Sequence, residues 1–166
     1  MENNTSDKTW YAVLMNVEDN DWGIGSYDKE EAYEKAKGMD AQFLGVIKNE
    51  ECTSLIKLYT YSVQHCTREY SAKTHEFRHF EGLEEEERNE YVRELLKSEG
   101  DSDGTDEKKD GFDTVEEAKE KGKGIEYSIE QGFAMRFLKI DYWMVWKDCF
   151  DLDGDLEYSE SYEIVE

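Results

Sequence analysis

Apolar positions along this chain fall mostly into short alternating runs, broken by charged or glycine-bearing stretches, with a few segments at helical spacing. Trp10–Val17 (WYAVLMNV) is rich in β-formers and is followed by the turn signal Asp19-Asn20-Asp21, which predicts a strand. Gly23-Ile24-Gly25-Ser26 reads as a tight irregular turn. A helix is expected from Asp28, with Glu31 three residues on as its capping-box partner and Gly38 as its stop. Gln42–Lys48 is the next expected strand, so the N-terminal part forms a β-α-β unit.

From Thr53 to Phe80 two patterns compete. Ile56, Tyr59, Val63, Cys66, Tyr70, Phe77 and Phe80 keep a 3-4 spacing and favour a long amphipathic helix. Tyr59–Val63 has strand composition instead. Leu83–Ser98 reads as a helix bracketed by Gly82 and Gly100, with Leu83, Val92, Leu95 and Leu96 facing inward. Residues 101–111 read as a polar linker. Thr114 and Glu117 then box a second capped helix ending at Gly124. Its Glu116-Glu117-Ala118 echoes Glu30-Glu31-Ala32 of the first, which a diverged duplication or, more simply, ordinary helix grammar explains. The C-terminal part reads as an antiparallel meander with strands near Ile125–Glu130, Phe133–Lys139, Tyr142–Asp148 and Leu156–Val165, the last preceded by the turn Asp151–Asp155. The expected class is α+β: an N-terminal β-α-β unit, central helices and a C-terminal meander. The expected division is a lobe over 1–99, an acidic linker over 100–111 and a second lobe over 112–166, the two lobes sharing one core or standing apart.

Composition adds a core built from aromatics and a strong charge. The chain of 166 residues has 7 Phe, 4 Trp and 11 Tyr, which argues against disorder. Tryptophans 10, 22, 143 and 146 are read as core, with Trp22 exposed. No apolar run reaches the roughly 18 residues that cross a bilayer, and residues 1–8 carry no signal-peptide core, so a cytoplasmic location is expected, that of a host cell if a mobile element encodes the chain. The formal net charge is −22. Glu81–Glu120 holds 17 acidic and 6 basic residues, and Asp141–Glu166 holds 9 and 1. Duplex DNA carries one charge per about 1.7 Å, so this charge corresponds to roughly 37 Å of duplex. A compact chain of this length is about as wide, roughly 40 Å. Direct binding to nucleic acid or to an anionic membrane is disfavoured by like charge.

Candidate chemistry is sparse. His75-Glu76-Phe77-Arg78-His79 fits H-E-x-x-H, in which His75 and His79 share a helix face and would ligate zinc while Glu76 acts as base. Over these five residues the segment resembles the zincin metallopeptidases, but Lys73, Arg78 and Glu81 depart from the uncharged surroundings that family wants. Asp151-x-Asp153-Gly154-Asp155 resembles the opening of an EF-hand loop, yet Leu156 and Tyr162 stand where the loop needs Gly and Glu. Gly23-x-Gly25 before a helix is a poor phosphate cradle, because Asp28, Glu30 and Glu31 would repel an anion there. Cys52, Cys66 and Cys149 are odd in number and read as small core residues in a reducing compartment. No nucleophile pairs with a base: Cys66 adjoins His65, and adjacent residues do not face each other. No cofactor is expected.

The acidic arrays remain. A partner-binding acidic face is expected from Glu84, Glu85, Glu87, Glu90 and Glu94, from Asp101 and Asp103, and from Asp151, Asp153, Asp155, Glu157, Glu160 and Glu163. On the last strand Glu157, Ser159, Ser161 and Glu163 share one side. In charge and size the chain resembles the acidic inhibitor proteins of phages and mobile elements, among them antirestriction DNA mimics and some anti-CRISPR proteins. Its WYAV…DWGIGS…EEA segment also resembles small uncharacterised mobile-element proteins. The resemblance implies a protein without enzymatic activity that blocks a basic nucleic-acid-binding partner such as a CRISPR effector or restriction enzyme. The alternatives are a zinc hydrolase on His75, Glu76 and His79, and an acidic adaptor that binds another protein.

Overall fold

The computed structural model describes residues 8–17, 20–72, 79–98 and 104–166. The fold is α+β, with antiparallel sheets and a C-terminal strand meander. Its elements are β1 (Trp10–Val17), β2 (Asn20–Ser26), α1 (Lys29–Gly38), β3 (Phe43–Lys48), β4 (Glu51–Lys57), β5 (Tyr59–Ala72), α2 (Glu85–Ser98), β6 (Gly104–Phe112), α3 (Val115–Lys121), β7 (Glu126–Gln131), β8 (Arg136–Phe150) and β9 (Leu156–Ile164). No described helix is long and apolar enough to cross a membrane.

Contacts divide the chain into two units, and the division does not follow the expected 1–99 and 112–166. The first gathers residues as far as Tyr61 with Gly111–Asp113 and Lys147–Glu160. The second gathers Ser62–Asp110, Thr114–Trp146 and Ser161–Glu166. Strand pairing causes this interleaving, because β5 and β8 are hydrogen-bonded neighbours although distant in sequence. Each of these long strands contributes residues to both units.

The first unit holds a four-stranded sheet in the order β2-β1-β3-β4, with α1 packed on it. Ala32, Tyr33 and Ala36 of α1 meet Val13, Leu44 and Leu58, which is the core. The expected turn at Gly23–Ser26 is instead strand β2, pairing from Tyr11↔Ser26 to Val17↔Asn20. Its glycines serve close approach: a Cβ at Gly25 would collide with the Tyr11 carbonyl oxygen, and one at Gly23 would lie 2.6 Å from the Ala12 Cβ. Strands β3 and β4 join through Asn49 and Glu50, with φ of 53° and 66°, the left-handed pair that a two-residue primed turn requires. Helix α1 ends at Gly38, as expected, and the left-handed residue that follows is Asp40, with φ 53°.

The long helix expected over 53–80 gives way to strands: β4 of the first unit ends at Lys57, and β5, running from Tyr59 to Ala72, lies mostly in the second. The strand composition of Tyr59–Val63 was the true signal, and the 3-4 apolar spacing was coincidental. Residues 104–111 of the expected linker, with Phe112, form β6. The expected strands at Phe133–Lys139 and Tyr142–Asp148 are one strand, β8, since no turn interrupts Ile140-Asp141. It pairs with β7 from Glu126↔Asp141 to Gln131↔Arg136. Helix α2 lays Val92 and Leu96 on Cys66, Phe80, Leu138, Ile140 and Tyr142, with Leu83 and Leu95 partly buried beside them. Helix α3 carries the complete capping box: Thr114 Oγ1 accepts from the Glu117 N–H, and the Glu117 carboxylate accepts from the Thr114 N–H. It ends at Lys121, with Gly122 instead of Gly124 as its cap.

Candidate functional site

An acidic cluster of the first unit lies where α1 begins. Asp28 caps the helix, its Oδ1 accepting from the Glu31 N–H at 2.9 Å. Its own N–H donates to Ser26 Oγ, and that hydroxyl donates to Glu31 Oε2, so the reciprocal half of the expected box is relayed through Ser26. Glu30 and Glu31 sit in the first turn, where the helix dipole favours anions. Glu31 also meets Lys35 at 2.8 Å, and that hydrogen bond, with the one from Ser26, holds its carboxyl below the ordinary range.

Opposite stands the turn into β9. Asp151 Oδ1 accepts from the N–H groups of Asp153 and Asp155, both at 2.9 Å, and Gly154 takes the left-handed φ of 86° that closes the turn. Leu152 packs into the core of this unit. Between the two sides lies Tyr33. Its hydroxyl is 3.0 Å from the Phe150 carbonyl oxygen and 3.1 Å from Glu157 Oε2. Burial, and then the Glu157 hydrogen bond, push the phenol up from its ordinary value. Lys37 lies 3.9 Å from Glu157 and stacks over the Tyr33 ring at 4.6 Å.

These elements enclose an open groove of about 530 Å³. Asp28, Glu30, Glu31 and Glu34 line one side, Asp151, Asp153 and Glu157 the other, with Tyr33 and Leu152 between them. Among the described residues no Lys or Arg belongs to the lining, and Lys35 and Lys37 reach it only through Glu31 and Glu157. Of the seven carboxylates, Glu31 and Glu157 form ion pairs, with Lys35 and Lys37. Among the described residues no three His, Cys, Asp or Glu side chains converge to hold a metal ion. Such a groove favours a partner carrying several spaced positive charges.

The described residues expected to form an acidic face divide between the two units. Asp151, Asp153 and Glu157 line the groove, while Asp155 and Glu160 are exposed outside it. Glu163 forms an ion pair with Lys119 of α3, which raises that lysine above its ordinary value. The α2 carboxylates belong to the second unit and form a mixed surface. Glu90 and Glu94 line a shallow depression with Glu86, but Arg93 and Lys97 line it too. Lys97 lies 4.0 Å from Glu94, and Arg93 lies 3.9 Å from Glu166. Glu87 accepts from the Glu84 N–H and so helps start the helix, and Glu85 is exposed in its first turn. Asp101 and Asp103 lie outside the described residues.

Residues missed at the sequence level are Asp28, Glu30, Glu31, Tyr33 and Glu34. Helix capping already accounted for the first acids, and they fell outside both acidic stretches. Of the H-E-x-x-H segment, His75 and Glu76 lie outside the described residues, and His79 is exposed. Cys66 and Cys149 are buried as expected, whereas Cys52 is exposed on β4. Trp143 is buried, Trp10 and Trp146 are half-buried, and the Trp22 side chain lies outside the described residues. His65 lies between Asp141 and Thr105, at 3.1 and 3.3 Å. Strand pairing brings the three together, which sequence adjacency hid.

Comparison with protein-family models, with curated proteins and with solved structures gives no match to this chain.

Proposed function

We propose that the chain is a binding protein whose acidic groove takes the basic surface of a nucleic-acid-binding protein, in the place its nucleic acid would occupy. The observation that carries this reading is the groove of seven carboxylates with no basic residue, among the described residues, in its lining. Five of the seven have no ion pair among the described residues, and their mutual repulsion costs stability. A partner surface bearing arginines and lysines relieves that cost, and the charge of both partners steers their encounter. Leu152, half-buried in the groove, supplies the apolar contact that would anchor it. The mixed charges along α2 argue against that helix as the mimicking surface.

The test is a binding titration of the labelled chain against purified CRISPR effectors and restriction enzymes, with duplex DNA as competitor. Affinity should fall by about tenfold or more between roughly 50 and 500 mM salt. Duplex should displace the chain, and the combined Glu30→Gln, Glu34→Gln and Asp153→Asn variant should bind at least about tenfold more weakly. Binding unaffected by salt and by these substitutions would rule the reading out.

A further inference from the structure

Strand β9 presents an open sheet edge in the first unit, over Leu156–Glu160. It pairs with β8, and its other edge has no strand partner among the described residues. Every residue of this stretch is exposed. The outward N–H and C=O groups of such an edge are a template for a further strand. Proteins commonly blunt edges of this kind with lysine, proline or a bulge. The four-stranded sheet uses two of these devices on β4, where Thr53 is an extra residue between the pairs Ile47↔Cys52 and Val46↔Ser54 and the strand ends in Lys57. β9 contains no Lys, Arg, Pro or Gly.

The two faces of the stretch differ. Alternation puts Glu157 and Ser159 on one side of the strand and Leu156, Tyr158 and Glu160 on the other. The first side is engaged within the unit. Glu157 lies 3.1 Å from the Tyr33 hydroxyl and 3.9 Å from Lys37, and Ser159 Oγ donates to the buried Asp148 at 2.6 Å. On the second side Leu156 is 55% exposed and Tyr158 42%. Glu160 forms no ion pair with a described residue. The Tyr158 hydroxyl is hydrogen-bonded to the Cys149 thiol of β8, which holds the ring beside the edge. An anchored aromatic ring, an aliphatic side chain and a carboxylate on one face suit the stem and guanidinium of arginine. Charge then selects the occupant. A second copy would bring its own Glu157 and Glu160 within a chain of net charge −22, and like charges opposed on paired strands repel. A cationic strand has the complementary sign.

We propose that the β9 edge takes up an extended basic segment of a partner protein as an added strand, with arginine side chains on the face of Leu156, Tyr158 and Glu160. Main-chain hydrogen bonds supply the affinity and the alternate side chains the selection. A stretch of this length, at about 3.3 Å per residue, gives a contact of roughly 17 Å. A segment that alternates arginine with valine places its guanidinium groups on the Tyr158 face and its aliphatic side chains beside Ser159. The proposal does not rest on the groove. Glu157 alone is common to both, and it lies on the face that the arginines leave.

The probe is a fluorescein-labelled, end-capped peptide of alternating arginine and valine, titrated by anisotropy into the full chain. It should bind, and amide hydrogen exchange should slow over Leu156–Glu160. The same peptide methylated on every backbone nitrogen keeps its charge but cannot donate to a strand, and should bind at least about tenfold more weakly. Glu160→Lys, checked for folding by circular dichroism, should weaken binding by about tenfold or more, whereas Glu30→Gln with Glu34→Gln should change it less than about twofold. Equal binding of the methylated peptide would show attraction by charge alone. Slowed exchange confined to Asp28–Glu34 would place the peptide in the groove. Either result, unchanged binding by folded Glu160→Lys, or no binding at about millimolar peptide overturns the proposal.

Discussion

Glu31 shows how one side chain serves both fold and groove. Its carboxyl is held below the ordinary range by Lys35 and Ser26. A lowered folded-state value means that its contribution is present above the ordinary carboxylate value and is lost as pH falls through the lowered one. Glu31→Gln should therefore reduce the thermal midpoint at neutral pH, and the gap from wild type should close as the solution is acidified below about pH 4. Thermal melts of both proteins across that range check it. Gly25 is a residue-scale case of a different kind. Its role as a close-approach glycine was hidden, because the same letters, G-x-G before a helix, also spell a turn. Gly25→Ala forces a methyl group into the Tyr11 carbonyl and should destabilise the protein by about 1–3 kcal/mol or more, read by chemical denaturation.

Among the elements, helices announced themselves better than strands. Caps are local, so Asp28 and Thr114 were legible from a few residues, and α2 was legible from its apolar stripe. Leu96→Ala, which empties part of the core beneath α2, should cost about 2–5 kcal/mol in the same denaturation assay. Strands depend on partners far away in sequence. The 3-4 spacing from Ile56 to Phe80 mimicked a helix because β5 packs residues such as Cys66 and Tyr70 on one core while its β-branched and aromatic content does the pairing. The β3–β4 turn was invisible for a related reason: Asn49-Glu50 lacks the glycine that usually marks a primed turn. Glu50 holds φ 66° at a cost, and Glu50→Gly should raise stability by up to about 1 kcal/mol.

For the whole molecule the net charge of −22 is the leading physical property, and its distribution matters more than its size. Counting along the sequence drew attention to α2 and its flanks, where Arg93 and Lys97 turn out to be interspersed. The segment Asp28–Glu34 looked unremarkable until the Asp151 turn was set against it. Self-repulsion of this kind is screened by salt. The thermal midpoint should thus rise with added salt, and Glu30→Gln with Glu34→Gln should raise it at low salt while making little difference at high salt. A midpoint insensitive to both would show that the carboxylates of the groove do not repel one another appreciably.

What the amino-acid sequence determined by itself was whatever depends on neighbours within a turn or two: the α+β class, the caps, the α2 stripe, the Asp151 turn and the sign of the charge. Tertiary structure alone decided the long strand pairings, the division into two interleaved units, the groove between α1 and the β9 turn, and the meeting of His65 with Asp141 and Thr105. The reason is distance along the chain. Capping and periodicity are settled by residues three or four apart, whereas the groove and the histidine network join residues whose separation in sequence carries no local energetic signal.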